Sequence, residues 1–439
     1  MNASVSPGLV LVANYMRLDA PMRAFWSGLD RRLRAVGLQL LMLSTTEVED
    51  LPFPVMSIPY HLGEFATRFD IRFEAAPVWA GPIIELSKQA DPHSPPEITA
   101  SGTAVAAEFY SNLFEALRPA AVIGWNAMHP HTQLFVGIAR LFGIPAWNAE
   151  RGWLRDTMMF DLGENTLLCE WGQSVALRSM QARPAADPAL FERLRAHYLS
   201  TRIGKYAGEA AVDPAAARAR LGIGATERVV AAFTHAEPGI HGPAEAVRPV
   251  VHDASTNLLD LRLAELATQA RAQGAVLLVQ EHPINREQGM VRERAMDAGA
   301  RFVHENPYTL FDLAEVTAHT HSTLQFDSVL VGKPIMLLER TMLELANAPG
   351  AYALDEFGSV GAALLAALDG SDWPVRRANL AAFVAAVARH QLIDIGNGIV
   401  PQDASALAKV LARYARPAPS DLGERVNAFL ETWGLASAA

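Results

Sequence analysis

Short apolar runs and segments of helical period alternate along most of the chain. GLVLVANY (Gly8 to Tyr15) is apolar without polar alternation, the pattern of a strand buried on both faces. In MRAFWSGLDRRLRAVG, the residues Phe25, Leu29, Leu33 and Val36 recur at helical spacing opposite Arg31, Arg32 and Arg34, and Gly37 supplies the stop. LQLLML then returns to strand. A strand, helix and strand within about 35 residues make a βαβ unit, which requires a parallel sheet with helices on its faces.

The same alternation recurs. Beyond a Pro-rich stretch from Leu51 to Pro96, a helix over 104–117, the strand AAVIGW, the helix TQLFVGIARLFG and the strand IPAWN predict a second unit. From Gln181 to Glu227 helical pieces are broken by ARPAADP, AVDPAAA and LGIGATE, as in a passage between domains. RVVAAF, a helix over 256–273, AVLLVQ, a helix over 290–298 and RFVH open a second series. EVTAHT, STLQFDSVLVG and PIMLL continue it, and from Gly361 the pattern is almost wholly helical. The expected fold is α/β, with two Rossmann-like doubly wound domains, 1–200 and 201–400, facing a central cleft. A helical C-terminal segment, 401–439, is expected to pack back on the first domain.

Composition narrows the function. At 439 residues, half of them hydrophobic and 19% charged, the chain has more than one core's worth of apolar material. A net charge of -10 gives no general attraction to nucleic acid, which is excluded as a first partner. One cysteine, Cys169, excludes an internal disulfide framework and a cysteine-rich zinc site. No run of about 20 apolar residues occurs, and the N-terminal run has no basic flank, so neither a membrane span nor an ordinary signal peptide is expected. Those features predict a cytoplasmic protein, at most peripherally attached to the inner face of the inner membrane.

In parallel sheets ligands bind beyond the carboxyl ends of strands, which directs attention to four loops. They are NYMR after the first strand, the charged stretch NAERGWLRDTMMFDLGEN, THAEPGIH after Phe233, and EHPIN after Gln280. THAEPGIH sets His235 and Glu237 where acid/base work is possible, although Pro238 and Gly239 also suit a simple turn. His282 follows a strand directly. Ser322 and Thr323 stand where a helix begins, positioned to cap it or to help its amides hold an anion. His129 and His131 flank Pro130 at another helix start and read as a cap or a cleft wall. The chain has no G-x-G-x-x-G, Walker A or G-x-S-x-G sequence, and its ligand set predicts metal-independent chemistry.

Several motifs, in order, resemble the capsule polysaccharide biosynthesis family, which includes bacterial Kdo transferases of two-domain GT-B type. GIPAWNAERGWLRDTMMFDLGENT is similar to its E-x-G loop with the following D-x-G-x-N, and TRIGKYAG to its lysine-tyrosine linker. VLLVQEHP is similar to its strand ending in His-Pro, and THSTLQFDSVLVGKPIML to its Ser/Thr-led helix followed by G-K-P. The resemblance implies a glycosyltransferase of surface polysaccharide synthesis with no cofactor, its acceptor domain first and its nucleotide-sugar domain second. The implied partners are a nucleotide sugar, CMP-Kdo by family precedent, and a glycan or glycolipid acceptor. Retaining transfer would proceed through an enzyme-bound sugar, which needs a nucleophilic carboxylate and a second acid/base group.

By position Glu150 matches the family's acid/base glutamate. The loop that carries its nucleophile reads FTHAEPGIHG here, with Glu237 the nearest carboxylate and His235 beside it. His282, Ser322, Thr323, Lys205 and Tyr206 are implied on the donor side, and Arg151, Asp161 and Asn165 at the acceptor or cleft. A transferase using a UDP- or GDP-sugar, a UDP-sugar 2-epimerase and a non-catalytic glycan-assembly subunit are the alternatives.

Overall fold

The computed structural model describes residues 7–15, 17–70, 81–90, 95–126, 129–161, 188–202, 211–235, 258–282, 292–320, 322–339, 350–396 and 398–435. Six strands open the chain: β1 (Gly8–Asn14), β2 (Leu38–Ser44), β3 (Val55–Ser57), β4 (Ala121–Trp125), β5 (Ala146–Arg151) and β6 (Thr157–Asp161). A second set follows: β7 (Arg228–Phe233), β8 (Ala275–Gln280), β9 (Arg301–Phe302), β10 (Val316–His319), β11 (Ile335–Leu337) and β12 (Tyr352–Ala353), with β13 (Leu392–Asp394) last. The first sheet has the order β13-β6-β5-β4-β1-β2-β3 and the second β12-β11-β10-β7-β8-β9. Every pairing in the second sheet is parallel, and the first is parallel from β3 through β5.

The unalternating apolar runs are explained by burial on both faces: every residue of β1 and β4 is buried, and in β7 all but Arg228. In each sheet the chain grows outward on one side of its first strand and then crosses to the other side. The strand order therefore reverses between β1 and β4, and again between β7 and β10, and each reversal opens a crevice at the carboxyl ends. The fold is two doubly wound, Rossmann-like α/β units.

Two elements depart from the sequence reading. TMMFD, read as irregular loop, is β6, which runs back antiparallel to β5 with Glu150 opposite Met159. Its alternation is too short to stand out beside the charged Arg155 and Asp156. The hairpin turns tightly at Gly152, whose N–H donates to Thr157 O at 2.8 Å, and a Cβ on Gly152 would lie 2.0 Å from Thr157 Oγ1. That close approach accounts for the glycine of the E-x-G motif structurally. Within the nominally helical tail, Leu392 to Asp394 form β13, which joins β6 antiparallel. Three residues are too few to show a period.

Beyond β13 the chain stays with the first sheet. Helix Ala404–Leu411 packs on helix Ala20–Arg34, with Arg32 Nε donating to Ser405 Oγ at 2.6 Å. Helix Leu422–Thr432 packs on helix Pro96–Leu117, and the rings of Phe429 and Trp433 lie 5.3 and 5.0 Å from that of Phe109.

The turn of the β5–β6 hairpin is not a solvated loop. Trp153 and Leu154 are buried in a core shared with Phe326 and Phe383, and the Trp153 and Phe326 rings are 4.6 Å apart. Burying an indole removes roughly 150–250 Å² of apolar surface from water, and this contact, with Met159 and Leu392 in the same core, ties the two units. Arg155, in the same turn, pairs with Asp156 at 3.1 Å.

Candidate functional site

At the reversal in the second sheet, polar residues from four strand ends converge. The His235 N–H donates to Thr320 Oγ1 at 2.8 Å, and His235 Nδ1 lies 2.8 Å from that oxygen and 3.0 Å from Glu339 Oε1. Both side chains of the His235–Glu339 pair are 7% exposed. Thr234 Oγ1 accepts from the His282 N–H at 3.1 Å, tying the end of β7 to that of β8. Behind His282, Glu281 pairs with the buried Arg292 at 2.8 Å. The carboxylate beside His235 Nδ1 favours a proton on that nitrogen. Nε2 then carries the lone pair of a base or, in the cation, a second proton able to meet an anion.

The start of helix Leu324–Val331 completes this edge. Ser322 N–H donates to Thr320 O at 2.6 Å, Ser322 Oγ accepts from the Leu324 N–H at 3.3 Å, and Thr323 is the N-cap residue. Capping is thus one role that Ser322 fills. The helix dipole adds a positive end to the same crevice. Lys333, of the G-K-P sequence, turns away and donates to Ala314 O at 2.7 Å.

The reversal in the first sheet is built of rings instead. Tyr15, just past β1, stacks on His129 at 4.5 Å, and His129 stacks on His131 at 5.6 Å. Tyr60 meets His129 edge-on at 5.9 Å, and Tyr110 Oη lies 3.0 Å from His131 Nδ1. Burial pushes the Tyr15 and Tyr110 hydroxyls well above the usual phenol range. Burial, aided by repulsion from His129, holds His131 well below the usual imidazole range, so it is neutral. Gly124 permits the packing: a Cβ there would sit 2.6 Å from Thr132 Cγ2, on the helix that carries His131.

Glu150 is half-buried near the end of β5, where its Oε1 accepts from the Arg151 N–H at 2.9 Å. Arg151 donates to Asp19 Oδ2 at 2.9 Å, across to the residue that caps helix Ala20–Arg34. Burial alone would raise the Asp19 pKa, but bonds from Arg151 and the Met22 N–H outweigh it and lower the carboxyl. Asp161 ends β6 opposite Asn148. The structure therefore brings His235, His282, Ser322 and Thr323 to one edge, and Glu150 and Arg151 to the other sheet's edge. The two edges are joined through Trp153 and Phe326. Glu237, Lys205, Tyr206 and Asn165 lie outside the described residues.

Glu339 and Thr320 were missed in the sequence reading, and the pairing of Tyr15 with His129 went unforeseen. Glu339 is the first charged residue after the PIMLL strand, so the strand-end rule applied to that strand would have found it. Nothing in the sequence signals that Tyr15 and His129 meet, because they are separated by more than a hundred positions.

No protein-family model and no curated protein matches the chain. Among solved structures it is similar to the β-Kdo 2,4-transferase KpsC of Thermosulfurimonas dismutans, at 17% identity, with 61% of this chain and 79% of that one covered and a TM-score of 0.37. UDP-GlcNAc 2-epimerase from Neisseria meningitidis, bound to UDP-GlcNAc, is 13% identical over 92% of this chain and 98% of its own, with a TM-score of 0.36. A glycosyltransferase from Rickettsia africae is 8% identical over 98% and 100%, with a TM-score of 0.38. At these identities and scores the likenesses decide nothing about donor, acceptor or reaction.

Proposed function

We propose that the chain is a glycosyltransferase of bacterial surface polysaccharide synthesis. It binds a nucleotide sugar at the reversal of the second sheet and a glycan acceptor at that of the first. The observation that carries this reading is the polar group at the β7–β10 crevice: a buried histidine with a carboxylate on its Nδ1, a second histidine on the adjoining strand end, and a helix start. Such a group suits a phosphate whose charge must be neutralised as the nucleotide leaves. His235 in its protonated form would neutralise that charge without a metal.

The donor is CMP-Kdo or a related acidic sugar on the strength of the motif resemblance. Glu150 serves as acid and then base at the acceptor oxygen, and Glu237 is the nucleophile of a retaining course. Arg151, Asp161 and Asn165 contact the acceptor, while Lys205 and Tyr206 steady the nucleotide. A panel of CMP-, UDP- and GDP-sugars tested for protection against thermal unfolding checks the donor, since a ligand bound to the native state raises stability. Protection by CMP and its sugar alone supports the Kdo reading. Protection only by UDP- or GDP-sugars moves the assignment to another GT-B donor, and turnover of a UDP-sugar without acceptor moves it to a 2-epimerase.

A further inference from the structure

The opposite edge of the first sheet has a composition of its own. β1, β2, β4 and β5 are parallel, so their amino ends lie along one edge. Val36 leads into β2, Arg118 into β4, and Leu141 and Phe142 into β5. Residues 413–416 cross the same edge: Arg416 donates to Pro119 O at 2.5 Å, and the Tyr414 ring lies 5.2 Å from Trp147 in β5. With neighbouring strands about 4.8 Å apart, β2 to β5 span roughly 14 Å.

Leu141 is 73% exposed, Phe142 42%, Val36 40% and Tyr414 38%. Eight large apolar side chains are exposed among the described residues, and these four share one edge. Arg34, Arg118, Arg140, Arg413 and Arg416, all exposed, stand among them. Asp30 offsets Arg34 at 2.7 Å and Asp421 offsets Arg425 at 2.8 Å, while Glu115 stands exposed one turn before Arg118; Arg118, Arg413 and Arg416 outnumber it. In a chain of net charge -10 this edge thus holds a local excess of positive charge.

Apolar tips set among guanidinium groups match the boundary of an anionic bilayer, where side chains enter the acyl region and arginines meet headgroup phosphates. We propose that this amino edge docks the chain on an anionic lipid surface. The candidate site, at the carboxyl ends, then stays open to solvent. The proposal does not depend on the transferase reading.

Flotation of the full chain with vesicles, without nucleotide or acceptor, tests it. Binding is expected to vesicles of mixed phosphatidylglycerol and phosphatidylcholine, not to phosphatidylcholine alone, and to weaken as salt shortens the screening length. Leu141→Ser with Phe142→Ser, and Arg140→Glu with Arg413→Glu, should each lower partitioning at least about tenfold. Leu365→Ser, on the exposed face of helix Val360–Asp369, should leave it unchanged. The proposal is overturned if wild type does not bind at low salt, or if both edge variants bind as wild type does. It is equally overturned if sedimentation shows the edge variants turning a dimer into a monomer with vesicle binding unchanged, since the edge would then be covered by a second copy of the chain.

Discussion

The two strand-order reversals have the same topology and opposite chemistry. In the first sheet the crevice between β1 and β4 is walled by Tyr15, His129 and His131, rings stacked on rings, with His131 held neutral. In the second, the crevice between β7 and β10 holds His235 against Glu339, with His282 beside it. A ring wall suits the apolar face of a neutral sugar, while a carboxylate-backed histidine at a helix start suits an anion. One fold used twice can therefore divide a reaction between two partners, because the residues just past each strand can differ without changing the strands.

The largest test concerns what joins the halves. Trp153→Ala should cost about 3–5 kcal/mol of stability, read from the urea midpoint, since the indole is buried against Phe326 in the second unit's core. A cost below about 1 kcal/mol would mean the hairpin is not anchored there. Next in size, His235→Ala should reduce transfer about a hundredfold. Glu339→Gln should reduce it about tenfold and shift the pH profile, because Glu339 acts by fixing the proton on His235. Tyr15 and His129 variants should raise the acceptor KM and leave donor binding unchanged. An equal loss of donor binding from both sets would erase the contrast between the crevices.

Each crevice also has a buried neutral histidine behind it, which predicts a shared acid sensitivity. Burial lowers His319 from 6.5 to about 3, and His131 lies well below 6.5 as well. The unfolded chain takes up these protons near pH 6.5 and the folded chain does not. Stability from this source is therefore full above that pH and falls by up to about 1.4 kcal/mol per histidine per pH unit below it. Replacing His319 with Gln should flatten the acid limb of a plot of stability against pH. The smallest effect belongs to Asp19→Ala, which removes a helix cap and the Arg151 partner and should cost about 1 kcal/mol.

The sheets were legible because parallel strands buried on both faces leave long apolar runs, as in GLVLVANY and AVLLVQ. β6 and β13 were not legible, since an antiparallel edge strand of a few residues is defined by its partner rather than by its own period. The candidate donor edge was partly legible: His235, His282, Ser322 and Thr323 follow strands, and position alone marks them. Glu339 became meaningful only through its 3.0 Å approach to His235, a contact over about a hundred residues of chain. The burial of the turn after Glu150 was not legible for a related reason. Its charges dominate the sequence, while Trp153 and Leu154 decide its place.

The division of labour between the crevices is tested most directly by calorimetric titration of the full chain with CMP, UDP and GDP. Wild type, His235→Ala and His129→Ala would be titrated side by side. At least one nucleotide should bind wild type and His129→Ala with the same affinity and bind His235→Ala about tenfold or more weakly, as expected for loss of a charge-assisted bond to phosphate. Binding that survives in His235→Ala and is lost in His129→Ala would contradict the assignment of the donor to the second sheet.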